Sequence, residues 1–185
     1  MTISDMAYAL KLPNIKLNYQ MLLKEANHTK MSYEEFLNNI LENELLVRRE
    51  NGVKNRLRAA RFPYKKYIED FNTESYSREL IHEFQELSSL KFIEDKENII
   101  LIGSPGSGKT HYSIGLGIKA CMNGLSALFI SVPNLIIELK EAMSLNQLNS
   151  YKKKFEKYDL VILDELGYVS FDKSGREILF NLLSN

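Results

Sequence analysis

Eight consecutive residues, Gly103-Ser104-Pro105-Gly106-Ser107-Gly108-Lys109-Thr110, restrict the folds open to this chain more than any other feature. An apolar run, Ile99 to Ile102, leads into them, and a segment that reads as a helix from Lys109 to about Asn123 leads out. The pattern G-x-x-x-x-G-K-[ST] in that setting describes a loop that wraps a phosphate with its backbone N–H groups. Glycine is needed because the wrapping takes the backbone through conformations, and to approach distances, that a side chain would obstruct. The positive end of the following helix faces the same anion. On this reading Lys109 reaches the β- and γ-phosphates of a nucleotide, and the hydroxyl of Thr110 ligates magnesium.

A second element completes the constellation. Tyr158-Asp159-Leu160-Val161-Ile162-Leu163-Asp164-Glu165 reads as a buried strand that ends in two acids. Asp164, at the carboxyl end of that strand, would face the magnesium through a coordinated water, because magnesium keeps several of its waters. Glu165 is then the candidate base that orients a water for attack on the γ-phosphate. An acid after a buried strand says little alone. Together with the phosphate loop it points to ATP and Mg2+ as ligands and to ATP hydrolysis as the reaction class. A small-molecule kinase on the same scaffold fits less well, because of the adjacent Asp-Glu pair.

The surrounding texture alternates in the way a phosphate loop requires. Apolar runs at Ile99–Ile102, Ala127–Val132 and Leu160–Leu163 alternate with helical patterns from Lys109 to Asn123 and from Asn134 to about Leu145. Such alternation means parallel βαβ units buried on both faces. The amino-terminal part reads differently. Ile15, Tyr19, Leu22, Leu23 and Ala26 recur at helical spacing after Pro13 and Asn14, and the segment around His28 and Thr29 breaks the pattern. Ser32 and Glu35 form a capping box for a second helix carrying Phe36, Leu37, Ile40, Leu41 and Leu45. Tyr64 to Asn72 reads as an aromatic linker, followed by a helix through Leu80, Ile81, Phe84 and Leu87. The expected organisation is a helical module at 1–61, a linker and helix at 62–90, and an α/β nucleotide-binding domain at 91–185.

Composition adds mainly exclusions. A hydrophobic share of 44% and a charged share of 26% suit a globular chain rather than a disordered or disulfide-stapled one. Its 24 basic and 24 acidic residues cancel, so any attraction to nucleic acid must come from local clustering. Such a cluster exists: Arg48, Arg49, Lys54, Arg56, Arg58, Arg61, Lys65 and Lys66 stand against Glu50 alone. Lys and Arg neutralising phosphates would give salt-sensitive, sequence-independent DNA contact, whereas a solvated helix face is the commoner use of such a run. The single cysteine, Cys121, is expected to be a small buried apolar residue, and His28 and His82 have no neighbours at metal-ligand spacing. The chain has no apolar run of about 18 residues and no secretion signal at its start, so no membrane partner is expected and a cytoplasmic location is the default.

Several stretches together resemble the IstB family of insertion-sequence ATPases. They are Asn98 to His111, the run Asp159 to Tyr168 with its Leu163-Asp164-Glu165-Leu166-Gly167-Tyr168 block, Gly175-Arg176-Glu177, and Leu179-Phe180-Asn181-Leu182. Upstream, Ser32-Tyr33-Glu34-Glu35-Phe36-Leu37 and Ala59-Ala60-Arg61-Phe62-Pro63 also match, so the likeness covers nearly the whole chain. IstB is similar to the helicase loader DnaC, and both are AAA+ ATPases. The resemblance implies ATP-driven assembly of a homo-oligomer on DNA, which hands target DNA to a transposase, with a replicative helicase as the alternative partner. It also implies that the amino-terminal helices and basic linker touch DNA or the partner. His111 follows the phosphate loop as in the family and is grouped with the nucleotide-binding residues, although on an apolar helix a packing or capping role suits it better than a catalytic one. The aromatic linker around Tyr67 and Phe71 lies where AAA+ proteins often hold adenine, and ordinary core packing is an equal alternative.

The family pattern goes on past the equivalent of Asn185, with a strand carrying a polar sensor residue and then an arginine that completes a neighbour's site. In the AAA+ strand order 5-1-4-3-2 that further strand lies between the phosphate-loop strand and the Asp164 strand. The expectation is therefore a P-loop NTPase sheet incomplete at its carboxyl end, in a fragment that binds nucleotide while turnover suffers. An arginine supplied by a neighbour can be worth about 10³ to 10⁵ in rate. A nucleotide-binding remnant without turnover is the alternative outcome.

Overall fold

The computed structural model describes residues 1–167 and 173–184. Two compact units emerge, Met1–Lys54 and Asn55–Asn185.

The first unit is helical. Helix α1 (Ile3–Ala9) opens on a capping box in which the Asp5 amide donates to Thr2 Oγ1 and the Thr2 amide donates to the Asp5 carboxylate. It packs on α2 (Pro13–Thr29), which begins with proline at a position whose N–H has no helical partner in any case. The next two amides of α2, those of Asn14 and Ile15, donate to Glu44 Oε2 at 3.0 and 3.1 Å. Glu44 therefore caps α2 from a residue thirty positions away, and it is buried for that purpose. Helix α3 (Tyr33–Ala59) starts at the expected box: Glu35 N donates to Ser32 Oγ at 3.2 Å, and Ser32 N to Glu35 Oε2 at 2.8 Å. Its leucines do not form a buried stripe. Leu37, Leu41, Leu45 and Leu46 are exposed, while Phe36, Ile40 and Val47 are partly covered.

The second unit holds a helix-rich α/β arrangement. After the end of α3, an irregular stretch with one turn of 3-10 helix at Ile68–Asp70 leads to α4 (Arg78–Ser88) and the short α5 (Lys91–Glu94). Then come α6 (Lys109–Met122), β1 (Ala127–Ser131), α7 (Val132–Ser144), α8 (Leu148–Phe155), β2 (Leu160–Asp164) and α9 (Lys173–Leu183). Strands β1 and β2 pair in parallel, in a register that runs from Ala127 opposite Leu160 to Ser131 opposite Asp164. Side chains alternate across this ribbon, as the period of two demands. Leu128, Ile130, Val161 and Leu163 join Leu135, Leu139, Ile178 and Leu182 of α7 and α9 on one face. On the other face Phe129 and Ile162 meet Ile114 and Ile118 of α6, with Leu57 and Phe62.

The run Ile99–Ile102, expected as a strand, has no strand hydrogen bonding among the described residues. A strand exists only where its backbone groups have a ladder to pair with, and both strands of this sheet lie elsewhere. The segment still alternates: Leu101 packs against the cluster of Leu90, Phe92, Tyr112 and Leu116, while Ile100 and Ile102 are 76% and 90% exposed. The chain thus approaches its glycine-rich loop with Ile99, Ile100 and Ile102 all exposed, the last two most of all. Tyr168, the last residue of the block quoted above, lies outside the described residues.

Candidate nucleotide site

The Gly103–Thr110 loop leads directly into α6, whose N-terminal cap is Gly108. Gly106 and Gly108 take φ of +78° and +79°, the left-handed region that L side chains avoid, so glycine is required at both. At Gly108 a second restriction applies, since an added Cβ would lie 2.7 Å from Phe71 Cε2. Lys109 curls back over the loop: its Nζ donates to Gly103 O and Ser104 O, each at 2.8 Å, and to Ser107 Oγ at 3.3 Å. The ammonium thereby sits among oxygens of its own loop.

One residue further on, Thr110 Oγ1 donates to both oxygens of Asp164, at 3.2 and 3.3 Å. Two structural facts place them together. Asp164 is the last residue of β2, opposite Ser131, and α6 lies so close on β2 that a Cβ at Gly117 would fall 2.8 Å from Ile162 Cδ1. The hydroxyl and the carboxylate, both partly buried, form a hard oxygen pair of the kind a small divalent cation takes. Glu165 follows at the surface with φ of +63°, a strained conformation for a residue with a side chain. Backbone strain of this sort gathers at functional sites.

Beside the loop lies a cavity of about 940 Å³, lined by Phe71, Tyr76, Leu80, Leu101, Lys109 and Tyr112. Its aromatic wall is continuous. Phe71 stacks on Tyr76 with centroids 5.7 Å apart, and both meet Phe84 edge-on at 5.3 Å. Tyr112 contacts Phe71 and Phe84, and its hydroxyl donates to Phe84 O. Burial pushes the Tyr112 phenol above its ordinary pKa. His111 stands edge-on to Phe71 at 5.4 Å, with Nε2 3.2 Å from Tyr67 O. The hydroxyl of Tyr76 donates to Ser107 O, inside the phosphate loop. Sequence reasoning passed over Tyr76; its only signal was an aromatic residue set in the polar stretch Asn72-Thr73-Glu74-Ser75 before a helix.

The basic stretch is divided by its contacts. Arg48 Nη2 donates to Lys11 O at 3.1 Å, and Arg56 Nε donates to Cys121 O at 2.8 Å. Arg61 pairs with Glu138 at 2.7 Å, and the other Glu138 oxygen accepts from Tyr151, whose phenol is pushed far up by burial and by that carboxylate. Arg49, Lys54 and Arg58 are exposed, Lys54 lying 3.8 Å from Glu50 one helical turn away. Among the described residues no cluster of His, Cys, Asp and Glu could hold a metal unaided, and no helix is long and apolar enough to cross a membrane.

Comparison with known proteins identifies the family. The pattern of the family described as IstB-like ATP binding protein matches residues 5–185. The chain is 34% identical over 178 residues to the insertion sequence IS21 ATP-binding protein of Pseudomonas aeruginosa, covering 95% of this chain and 66% of that one. It is 30% identical over 182 residues to the insertion sequence IS5376 ATP-binding protein of Geobacillus stearothermophilus, covering 98% and 72%. With the IS232 ATP-binding protein of Bacillus thuringiensis it shares 32% over 177 residues, covering 94% and 70%. The chain thus spans about two thirds of the length of these relatives. A glycine loop, a β2 carboxylate in contact with it and a match along nearly every residue lead to one assignment: this chain belongs to the IstB-like ATP binding protein family.

Proposed function

We propose that this chain binds ATP with magnesium at the Gly103–Thr110 loop and serves insertion-sequence transposition by assembling on DNA and delivering it to a transposase. The observation that carries the reading is the convergence of Thr110 Oγ1 and Asp164 behind the loop that bears Lys109. Backbone amides from Gly106 to Thr110 would cradle the phosphates, and Lys109 would exchange its bonds to Gly103 O and Ser104 O for phosphate oxygens. Thr110 and Asp164 would hold magnesium, which is commonly bound by one or two protein oxygens together with phosphate and water. The cation would supply charge neutralisation between phosphate groups. Glu165, exposed beside Asp164, is the proposed base for the attacking water.

The relatives' insertion-sequence names favour transposition over helicase loading. For DNA contact we favour Arg49 and Arg58, because Arg48, Arg56 and Arg61 donate to backbone or carboxylate partners and Lys54 lies 3.8 Å from Glu50. Assembly as a homo-oligomer belongs to the same reading. The test is calorimetric titration with ATP, with and without magnesium, beside Lys109→Ala, followed by ATP turnover with and without DNA. Magnesium-dependent binding that falls at least tenfold in Lys109→Ala is expected. A folded chain without that affinity, or turnover indifferent to the substitution, would overturn the reading.

A further inference from the structure

The wall of aromatic side chains beside the phosphate loop touches the loop backbone at one polar point, the Tyr76 hydroxyl on Ser107 O. That carbonyl belongs to the peptide unit whose nitrogen is the amide of Gly108, and in a planar trans peptide the C=O and N–H vectors point in opposite directions. Fixing the oxygen on one side therefore fixes the Gly108 N–H on the other. Gly108 can support no such control by itself, since with φ of +79° and no side chain its neighbouring peptide planes turn easily. The Tyr76 ring is in turn held by two neighbours, stacked on Phe71 and edge-on to Phe84, and the next residue, Ser77, caps α4 by accepting from Leu80 N at 3.3 Å. Phe71 also fills the space beneath Gly108, where an added Cβ would meet its ring.

We infer that Tyr76 is a positioning residue of the phosphate loop: its hydroxyl orients the Ser107–Gly108 peptide so that the Gly108 amide faces the bound phosphates. The inference rests on the ATP-binding reading above. A nucleotide gains affinity from amides that already point at it, because no rotation has to be frozen on binding. Removal of a single neutral hydrogen bond of this kind corresponds to a change of about threefold to tenfold.

The experiment compares the parent chain with Tyr76→Phe, which keeps the ring, and Tyr76→Leu, which removes ring and hydroxyl. Dissociation constants for Mg·ADP are read by calorimetry, melting temperatures without nucleotide are recorded, and the Gly108 amide is followed by 15N NMR during titration. Binding about threefold to tenfold weaker in Tyr76→Phe, with an unchanged melting temperature and a smaller ligand-induced shift of the Gly108 amide proton, is expected. A purely structural role would leave that amide shift intact. Parent-like affinity in Tyr76→Phe overturns the inference, whatever Tyr76→Leu does, because the ring alone would then account for the residue. A Tyr76→Phe chain that melts well below the parent also overturns it, by assigning the hydroxyl to the fold. If the parent itself fails to bind Mg·ADP while Lys109→Ala behaves identically, the ATP-binding reading falls first.

Discussion

Replacement of Gly117 by alanine tests how closely α6 lies on the sheet. In most helix interiors Gly→Ala is stabilising by about 0.5–1 kcal/mol, since alanine loses less backbone entropy on folding. Here the new methyl would stand 2.7 Å from Phe62 Cζ, 2.8 Å from Phe62 Cε1 and 2.8 Å from Ile162 Cδ1. Separations below about 3 Å cannot persist, so the partly buried ends of Phe62 and Ile162 must shift against their neighbours. Phe62 is tilted against Phe129 at 6.4 Å, and Ile162 lies in β2 among Ile114, Ile118 and Phe129. Overpacking of a filled core costs about 1–3 kcal/mol, which outweighs the helix gain and leaves a net loss of about 0.5–2 kcal/mol. For a chain of this size that is a fall in melting temperature of about 1–8 °C, measured by circular dichroism or calorimetry. Because relief requires α6 to lift from β2, the Thr110–Asp164 contact should loosen and magnesium-dependent nucleotide affinity should drop together with stability. The double variant Phe62→Leu, Gly117→Ala should recover part of the loss. A Gly117→Ala chain that melts higher than the parent, with unchanged affinity, would refute the close packing.

Two further outcomes follow from titrating groups. Asp159 accepts from both the amide and the hydroxyl of Ser126, and these bonds hold its carboxyl below the ordinary aspartate value. A carboxylate depressed in the folded state contributes stability above its unfolded pKa of about 3.9 and loses it as pH falls through the lower folded value. Melting temperature followed from pH 6 to pH 2 should therefore decline less steeply below about pH 4 in Asp159→Asn than in the parent; equal slopes would remove the linkage. Cys121 is buried, and desolvation raises its thiol pKa despite nearby Arg56. A thiol reagent such as 5,5′-dithiobis-(2-nitrobenzoate) should react at neutral pH only as fast as the chain unfolds, and rapid stoichiometric labelling of the folded protein would contradict that.

The parts of the fold that could be read from sequence are those whose physics is local. The glycine pattern demands φ values that Gly106 and Gly108 indeed adopt, the Ser32–Glu35 box is two adjacent hydrogen bonds, and β1 and β2 are short apolar runs with punctuation on both sides. What escaped the reading depends on partners distant in the chain. Ile99–Ile102 has the composition of a strand, but a strand is a relation between two segments, and composition does not supply the neighbour. The leucines of α3 satisfy a helical period whether or not anything covers them. Glu44 carries no local sign of its role, since it caps α2 across thirty residues, and Tyr76 gains its meaning only from a carbonyl thirty-one residues later. Of the basic run, charge counting could not separate Arg56 and Arg61, held by Cys121 O and Glu138, from Arg49 and Arg58.

The placement of Thr110 opposite Asp164 depends on features outside the motif that names them. Parallel pairing sets Asp164 level with Ser131, and the missing side chain at Gly117 lets α6 descend onto Ile162, so Thr110, in the first turn of α6, comes within reach of the carboxylate. Lys109 is the residue next to it, and its three acceptors all belong to the loop itself. A phosphate that draws the ammonium away must replace two carbonyls and a hydroxyl, all neutral. The present bonds are already charge-assisted by the ammonium, and a phosphate would add a Coulombic attraction that neutral acceptors lack. On the proposed reading, a ligand that draws Lys109 away has to offer negative charge in place of the three loop acceptors, which a neutral ligand of the same shape would not.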